Sequence, residues 1–132
     1  MANRITLKWV DELRFEGTAG TAVVAIDGDG QQGTSPVNLL LEAIASCAAA
    51  DVVDILRKGR QELEAMTVEV SADRREGHPR SITRLQLDFK IRGPVDEVKA
   101  RRAVDLSLEK YCSVFHSLRM DISLDTAVAV KP

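Results

Sequence analysis

The sequence of 132 residues predicts a single α+β domain over residues 1–132, with antiparallel sheets wrapped around one long central helix in the order βββ-α-ββ-αα-β. Three observations carry this prediction. Residues 35–60 form one nearly continuous apolar stretch between helix-capping residues. Residues 67–72, 84–91 and 121–130 alternate apolar and polar with the period of strands. A second capped helical pattern, beginning at Gly93-Pro94, lies between the last two of these.

Near the N-terminus, Ile5, Leu7 and Trp9 alternate with Arg4, Thr6 and Lys8, which is the pattern of a half-buried strand. Two more strands are expected at 13–17 and 21–26, divided by the turn formers Gly17 and Gly20. The polar loop 27–33 is superficially like a calcium loop. Its twelfth position is Asn38 where a bidentate Glu is needed, so no calcium site is expected.

The central helix opens with Ser35 as N-cap and Pro36 at the first helical position, where a missing N–H costs nothing. Gly59 stands where a left-handed terminal residue is wanted, flanked by Lys58 and Arg60, which suit the negative end of the dipole. Leu41, Ala45, Ala49, Val52, Val53 and Leu56 are the expected core arc. Glu42, Asp51 and Asp54 interrupt the stretch, which is also too short to span a membrane. Cys47 lies mid-helix. At about 100° per residue, Asp51 falls about 40° from Cys47 around the axis, and Asp54 and Lys58 each about 20°. Unpaired buried charge is costly, so this strip must face water, a pocket or a subunit interface. An inert core thiol is the competing reading of Cys47.

Val68, Val70 and Ala72, then Leu85, Leu87, Phe89 and Ile91, mark two strands with one wet face each, joined by the solvated turn 74–80 that contains His78. In the second helix, Asp96 and Glu97 fall in the first turn. Val95, Val98, Arg102, Leu106 and Glu109 follow a three-to-four spacing, with Ala103 and Val104 beside them, as far as about Tyr111. Ser113 is the expected cap of a short third helix at 114–119, which places Cys112 at a junction of helices. A strand at 121–130 ends the chain.

Charge is nearly balanced at −2, which argues against a general nucleic-acid binder. Two cysteines do not make a secreted disulfide framework, and no signal peptide is recognised, so the cytoplasm is the expected location. There is no Gly-rich phosphate loop, HExxH or GxSxG, and no cofactor is expected. The chemistry on offer is two thiols, with three readings. They are a redox pair in which one Cys is oxidised and the other resolves it. They are metal ligands with His116, four residues after Cys112, although no fourth ligand is apparent. Or they are unrelated structural cysteines.

The run Ser35-Pro36, Leu39-Leu40-Leu41, Ala43, Ala45-Ser46-Cys47, Asp51-Val52-Val53, Ile55-Leu56 and Lys58-Gly59-Arg60 resembles the central helix of the OsmC/Ohr family of thiol-dependent peroxidases. The block from Arg102 to Ser107, with Glu109 to Val114, resembles that family's second-cysteine region, and both are especially close to its YhfA-like branch. The resemblance covers essentially the whole chain. It implies an OsmC-like fold and an intimate homodimer with two sites at the subunit interface. It also implies that Cys47 attacks a hydroperoxide, typically organic, and becomes a sulfenic acid. Cys112 then closes a disulfide with it, and a dithiol, often lipoyl-based, restores both. The alternative is a non-enzymatic OsmC-fold redox sensor or small-molecule binder.

The chain departs from the family at one place. Better-studied members carry a Glu after the Pro that opens the helix, holding an Arg over the thiolate. Here that position is Val37, followed by Asn38, and the loop 27–33 holds no Arg; Arg14 is the nearest basic residue upstream. Cys47 lies too deep in its helix for the dipole to help. Asp51 one turn on is expected to raise its pKa unless a cation intervenes. Lys58 and Lys110 are the candidates for that cation.

Overall fold

The computed structural model describes residues 2–132, in two compact units that meet in sequence at Leu40 and Leu41. The N-terminal unit is an antiparallel sheet of β1 (Thr6–Asp11), β2 (Arg14–Ala19) and β3 (Ala22–Asp27) in the order β1-β2-β3. Trp9 pairs with Phe15, and Phe15 with Ile26. The strands start one or two residues later than the alternation suggested. Glu12 turns the chain between β1 and β2, with φ 44° and its carbonyl accepting from Trp9 Nε1 at 2.9 Å. Half-burial is not observed. Ile5, Leu7, Trp9 and Val23 are exposed by 69, 53, 65 and 61%. Among the described residues of this unit, Asp27 alone is buried. Its carboxylate accepts from the N–H groups of Asp29 and Gln32, both at 2.9 Å, so the acidic, glycine-rich loop is a turn organised by Asp27.

Helix α1 (Pro36–Lys58) runs within the expected limits. The Asn38 N–H donates to the Ser35 hydroxyl at 3.2 Å, so Ser35 caps it as its chemistry suggests. The left-handed residue at the other end is Arg60, φ 58°, rather than Gly59. The N–H groups of Arg60 and Gln61 return to the carbonyls of Arg57 and Leu56, a Schellman closure displaced by one residue from the glycine. The fully buried stripe is Ile44, Ala48, Val52 and Leu56, narrower than and rotated from the expected arc; Leu41, Ala45, Ala49 and Val53 are half-buried.

In the C-terminal unit, β4 (Ala65–Arg74) and β5 (Ile82–Arg92) pair antiparallel across the expected turn. The last strand, β6 (Ser123–Lys131), pairs parallel with β5, so this sheet is mixed, not antiparallel throughout. The chain between β5 and β6 passes through helices, and such a crossover returns a strand in the same direction. Leu85, Leu87, Phe89 and Ile91 of the central strand are at most 2% exposed and make the main row of the core.

Helix α2 (Glu97–Leu106) begins after Asp96, which is the N-cap and accepts from the Lys99 N–H at 3.0 Å. Gly93 before it has φ 130°, and a Cβ there would meet the Glu62 carbonyl oxygen at 2.4 Å, so only glycine fits. The buried face of α2 is Ala100, Ala103 and Val104, continuing into Ser107 and Leu108. This corrects the expected face: Val98 is 71% exposed, and Arg102 and Glu109 are exposed too. Small residues pack inward here, and the larger Val98 pulled the hydrophobic reading to the wrong side.

Candidate thiol active site

Cys47 and Asp51 lie one turn apart on α1. The second cysteine is brought to them by a change of helix type. After Leu106 the chain opens into a π-turn, Ser107–Tyr111, closed by the Cys112 N–H donating to the Ser107 carbonyl at 2.7 Å. Cys112 then adopts an extended conformation, φ −70° and ψ 95°, and occupies the N-cap position of α3 (Ser113–His116). Sequence preference had given that place to Ser113. Cys112 makes no side-chain capping bond, so the first N–H groups of α3 are left for other acceptors.

The dipoles of these N–H groups act on the two sulfurs. Cys47 is half-buried, with its Sγ 3.9 Å from the Ser113 hydroxyl. The Val114 N–H holds its thiol below the ordinary pKa most strongly, against partial desolvation, with further help from the Cys112 thiol and from the Ser113 hydroxyl and N–H. Cys112 is fully buried. Burial pushes its pKa up to about 11, assisted by the Cys47 sulfur and the Asp51 carboxylate and opposed by the Phe115 N–H. Of the pair, Cys112 is therefore the sulfur that keeps its proton and Cys47 the one whose thiolate is favoured.

Two thiols that influence each other's ionisation, one on a capped apolar helix and one at a junction of helices, are what the geometry offers. Residues 28–127, which include both cysteines, match the family of OsmC-like proteins. The chain belongs to the OsmC-like family. It is 38% identical over 121 residues to Protein YhfA of Escherichia coli (strain K12), an alignment covering 89% of this chain and 90% of YhfA. A hypothetical protein from Aquifex aeolicus VF5 has a similar crystal structure, with TM-score 0.92 and 30% identity, covering 99% of this chain and 97% of that one. The organic hydroperoxide resistance protein OhrB of Bacillus subtilis shares the fold at TM-score 0.62 and 18% identity, covering 99% and 98%.

Against this OsmC-like background, the expected supporting residues sort into two groups. Asp51 is at the site, but its carboxylate is turned to Ser107, whose hydroxyl donates to it at 2.8 Å and also lies 3.4 Å from the Ala48 carbonyl. Its charge acts on Cys112, and it is not among the largest influences on Cys47, whose pKa is lowered and not raised. Lys58 is engaged at the helix end, bound to Asp54 at 2.8 Å in an exposed pair. Lys110 lies 5.3 Å from the centroid of the Tyr111 ring. Neither lysine is among the largest influences on Cys47, the first of which is the Val114 N–H.

Arg14 is bound to Asp11 and Gln32 within the N-terminal unit. His116 is exposed with its ring edge-on to Phe115, and among the described residues no three His, Cys, Asp or Glu side chains are grouped to hold a metal. The sequence reading missed Ser107 and the Val114 N–H. A main-chain donor has no side-chain signature, whereas Ser107 was visible as the polar member of the face 103, 104, 107 and 108. Among the described residues, no helix is long and apolar enough to cross a membrane.

Proposed function

We propose that this protein reduces organic hydroperoxides with Cys47 as the attacking thiol and Cys112 as the resolving one. The observation that carries the reading is the split in the pair: donors from α3 favour the Cys47 thiolate, while burial keeps the neighbouring Cys112 protonated. The Cys47 thiolate attacks the terminal oxygen of the hydroperoxide, the O–O bond breaks, and Cys47 becomes a sulfenic acid. The alkoxide leaves and takes a proton to become the alcohol. The Cys112 sulfur then displaces the sulfenic hydroxyl, its proton departing with that hydroxyl as water, and the disulfide forms. A dithiol of the lipoyl kind restores both thiols by exchange.

The working unit in this proposal is a homodimer in the cytoplasm. The exposed apolar side chains of the N-terminal sheet, Leu7, Trp9 and Val23 among them, support it, because a second copy would cover them. Light scattering should give twice the chain mass at micromolar concentration, and a monomer would overturn this part.

The chemistry is tested by turnover of cumene hydroperoxide with dihydrolipoamide. Cys47→Ser should abolish turnover, and Cys112→Ser should leave a sulfenic acid on Cys47 that dimedone traps. Oxidised wild-type protein should be lighter by two hydrogens and yield a Cys47–Cys112 cross-linked peptide. With Val37 in place of the family Glu, the oxidation rate should fall below that of relatives carrying the Arg–Glu pair, since a missing charge-stabilising donor costs roughly 10²–10³ in rate. Full activity of Cys47→Ser overturns the proposal. A single oxidation that the dithiol does not reverse points to the sensor reading.

A further inference from the structure

The Ser107–Asp51 hydrogen bond lies beside the two thiols and is used by neither step above. Ser107 is fully buried, and it touches both halves of the site. Its carbonyl accepts the Cys112 N–H at 2.7 Å, closing the π-turn. Its hydroxyl reaches α1 at Ala48 O, 3.4 Å, and at Asp51 Oδ2, 2.8 Å, on the turn that follows Cys47. One buried residue thus ties the main chain of Cys112 to the helix that carries Cys47. A fully buried serine satisfied by a carboxylate is a costly choice for a core position that Ala would fill without any polar group. The titratable groups acting on Cys112 are Cys47 and Asp51, both from α1.

We propose that Ser107 and Asp51 are positioning residues for the resolving thiol: Ser107 sets the place of Cys112 against Cys47, and the Asp51 carboxylate, fixed by its hydrogen bond to Ser107, adds to burial in opposing a negative charge on Cys112 until Cys47 has been oxidised. This rests on the hydroperoxide reading for its place in a cycle, though not for its chemistry. The carboxylate disfavours a second negative charge nearby, so it opposes ionisation of Cys112. Cys112 stays unreactive toward oxidants and electrophiles while Cys47 is a thiolate. When Cys47 carries a hydroxyl, the Cys112 proton has an acceptor, and it leaves as part of water while the S–S bond forms. The pair therefore sets the order of the two sulfurs: Cys47 reacts first, and Cys112 reacts only with its neighbour.

Two variants separate the two roles. Asp51→Asn keeps an oxygen for the Ser107 hydroxyl and removes the charge. In a Cys47→Ser background, ultraviolet titration of the Cys112 thiolate should show a lower midpoint for Asp51→Asn than for Asp51. With Cys47 present, Asp51→Asn should shorten the dimedone-trappable lifetime of the sulfenic acid at neutral pH several-fold after one equivalent of cumene hydroperoxide. Ser107→Ala should instead weaken the Cys47–Cys112 disulfide several-fold in equilibrium with glutathione. An unchanged Cys112 midpoint in Asp51→Asn overturns the inference, and so does a longer sulfenic-acid lifetime. If Ser107→Ala fails to fold, the Asp51→Asn titration still decides. If no variant forms a sulfenic acid, the hydroperoxide reading falls, and the titration decides this inference alone.

Discussion

The two sheets of this protein have the same strand count and each holds a strand that alternates apolar and polar, yet they bury entirely different things. In the C-terminal sheet, the central strand β5 hides Leu85, Leu87, Phe89 and Ile91 almost completely. In the N-terminal sheet, the same alternation leaves Leu7, Trp9 and Val23 in the open, and the one buried group is the Asp27 carboxylate. Alternation states that one face of a strand wants cover. It does not state what supplies the cover. Helices α1 and α2 contribute their buried residues to the same unit as β5. The N-terminal sheet has no helix of its own after β1, β2 or β3 until α1 begins.

The sharpest way to break this comparison is to cut one aromatic from each sheet. Phe89→Ala empties a fully buried site and should cost about 3–5 kcal/mol of unfolding free energy. Trp9→Ala removes a side chain that is 65% exposed in the single chain. Its cost should be small in dilute protein and grow with concentration if a second copy covers the sheet. Urea unfolding at two protein concentrations checks both, and equal, concentration-independent losses would erase the contrast.

A smaller effect separates the units by pH. The Gln32 and Asp29 N–H groups hold the Asp27 carboxyl below its usual pKa. Its contribution is thus complete above the ordinary carboxylate value of about 3.9 and is lost as pH falls through the lower folded value. Cys112 runs the opposite way. Its folded pKa of about 11 lies above the unfolded one, so stability is unaffected below about 8.5 and falls as pH rises from there to about 11. Hydrogen exchange should show acid loosening at residues 27–34, and thermal melts should show alkaline loss that Cys112→Ser removes. Alkaline loss that persists in Cys112→Ser would count against the assignment.

The smallest effect concerns the end of α1. Arg60 takes a left-handed conformation that glycine adopts without steric cost, so Arg60→Gly should stabilise the chain by about 1 kcal/mol. A melting temperature that drops would mean that the Arg60 side chain matters more than its backbone strain.

Much of this was legible beforehand. The element order, the Ser35 cap and both cysteines lie where the residues placed them. What escaped the reading did so for identifiable reasons. Side-chain alternation carries no strand direction, so the parallel pairing of β5 with β6 was readable only from the helical crossover between them. Ala100 and Ala103 bury a helix face without looking hydrophobic, while exposed Val98 looks buried. The strongest influence lowering the Cys47 pKa is a main-chain N–H of α3, a group that every residue but proline has and no motif marks. A search for a cation along the charged strip therefore led to Lys58, which is bound to Asp54 instead.

The π-turn has a consequence for how this chain can vary. Its hydrogen bond reaches back five positions, from Cys112 to Ser107, one more than in an α-helix. Losing or gaining a single residue within 108–111 would change the ring that the Cys112 N–H closes onto the Ser107 carbonyl, and with it the setting of Cys112. Glu109, Lys110 and Tyr111 are exposed and free to change in kind. Their number is not free to change. A one-codon deletion here would reset the ring that Ser107 and Cys112 close, whereas a substitution at an exposed position leaves that ring as it is.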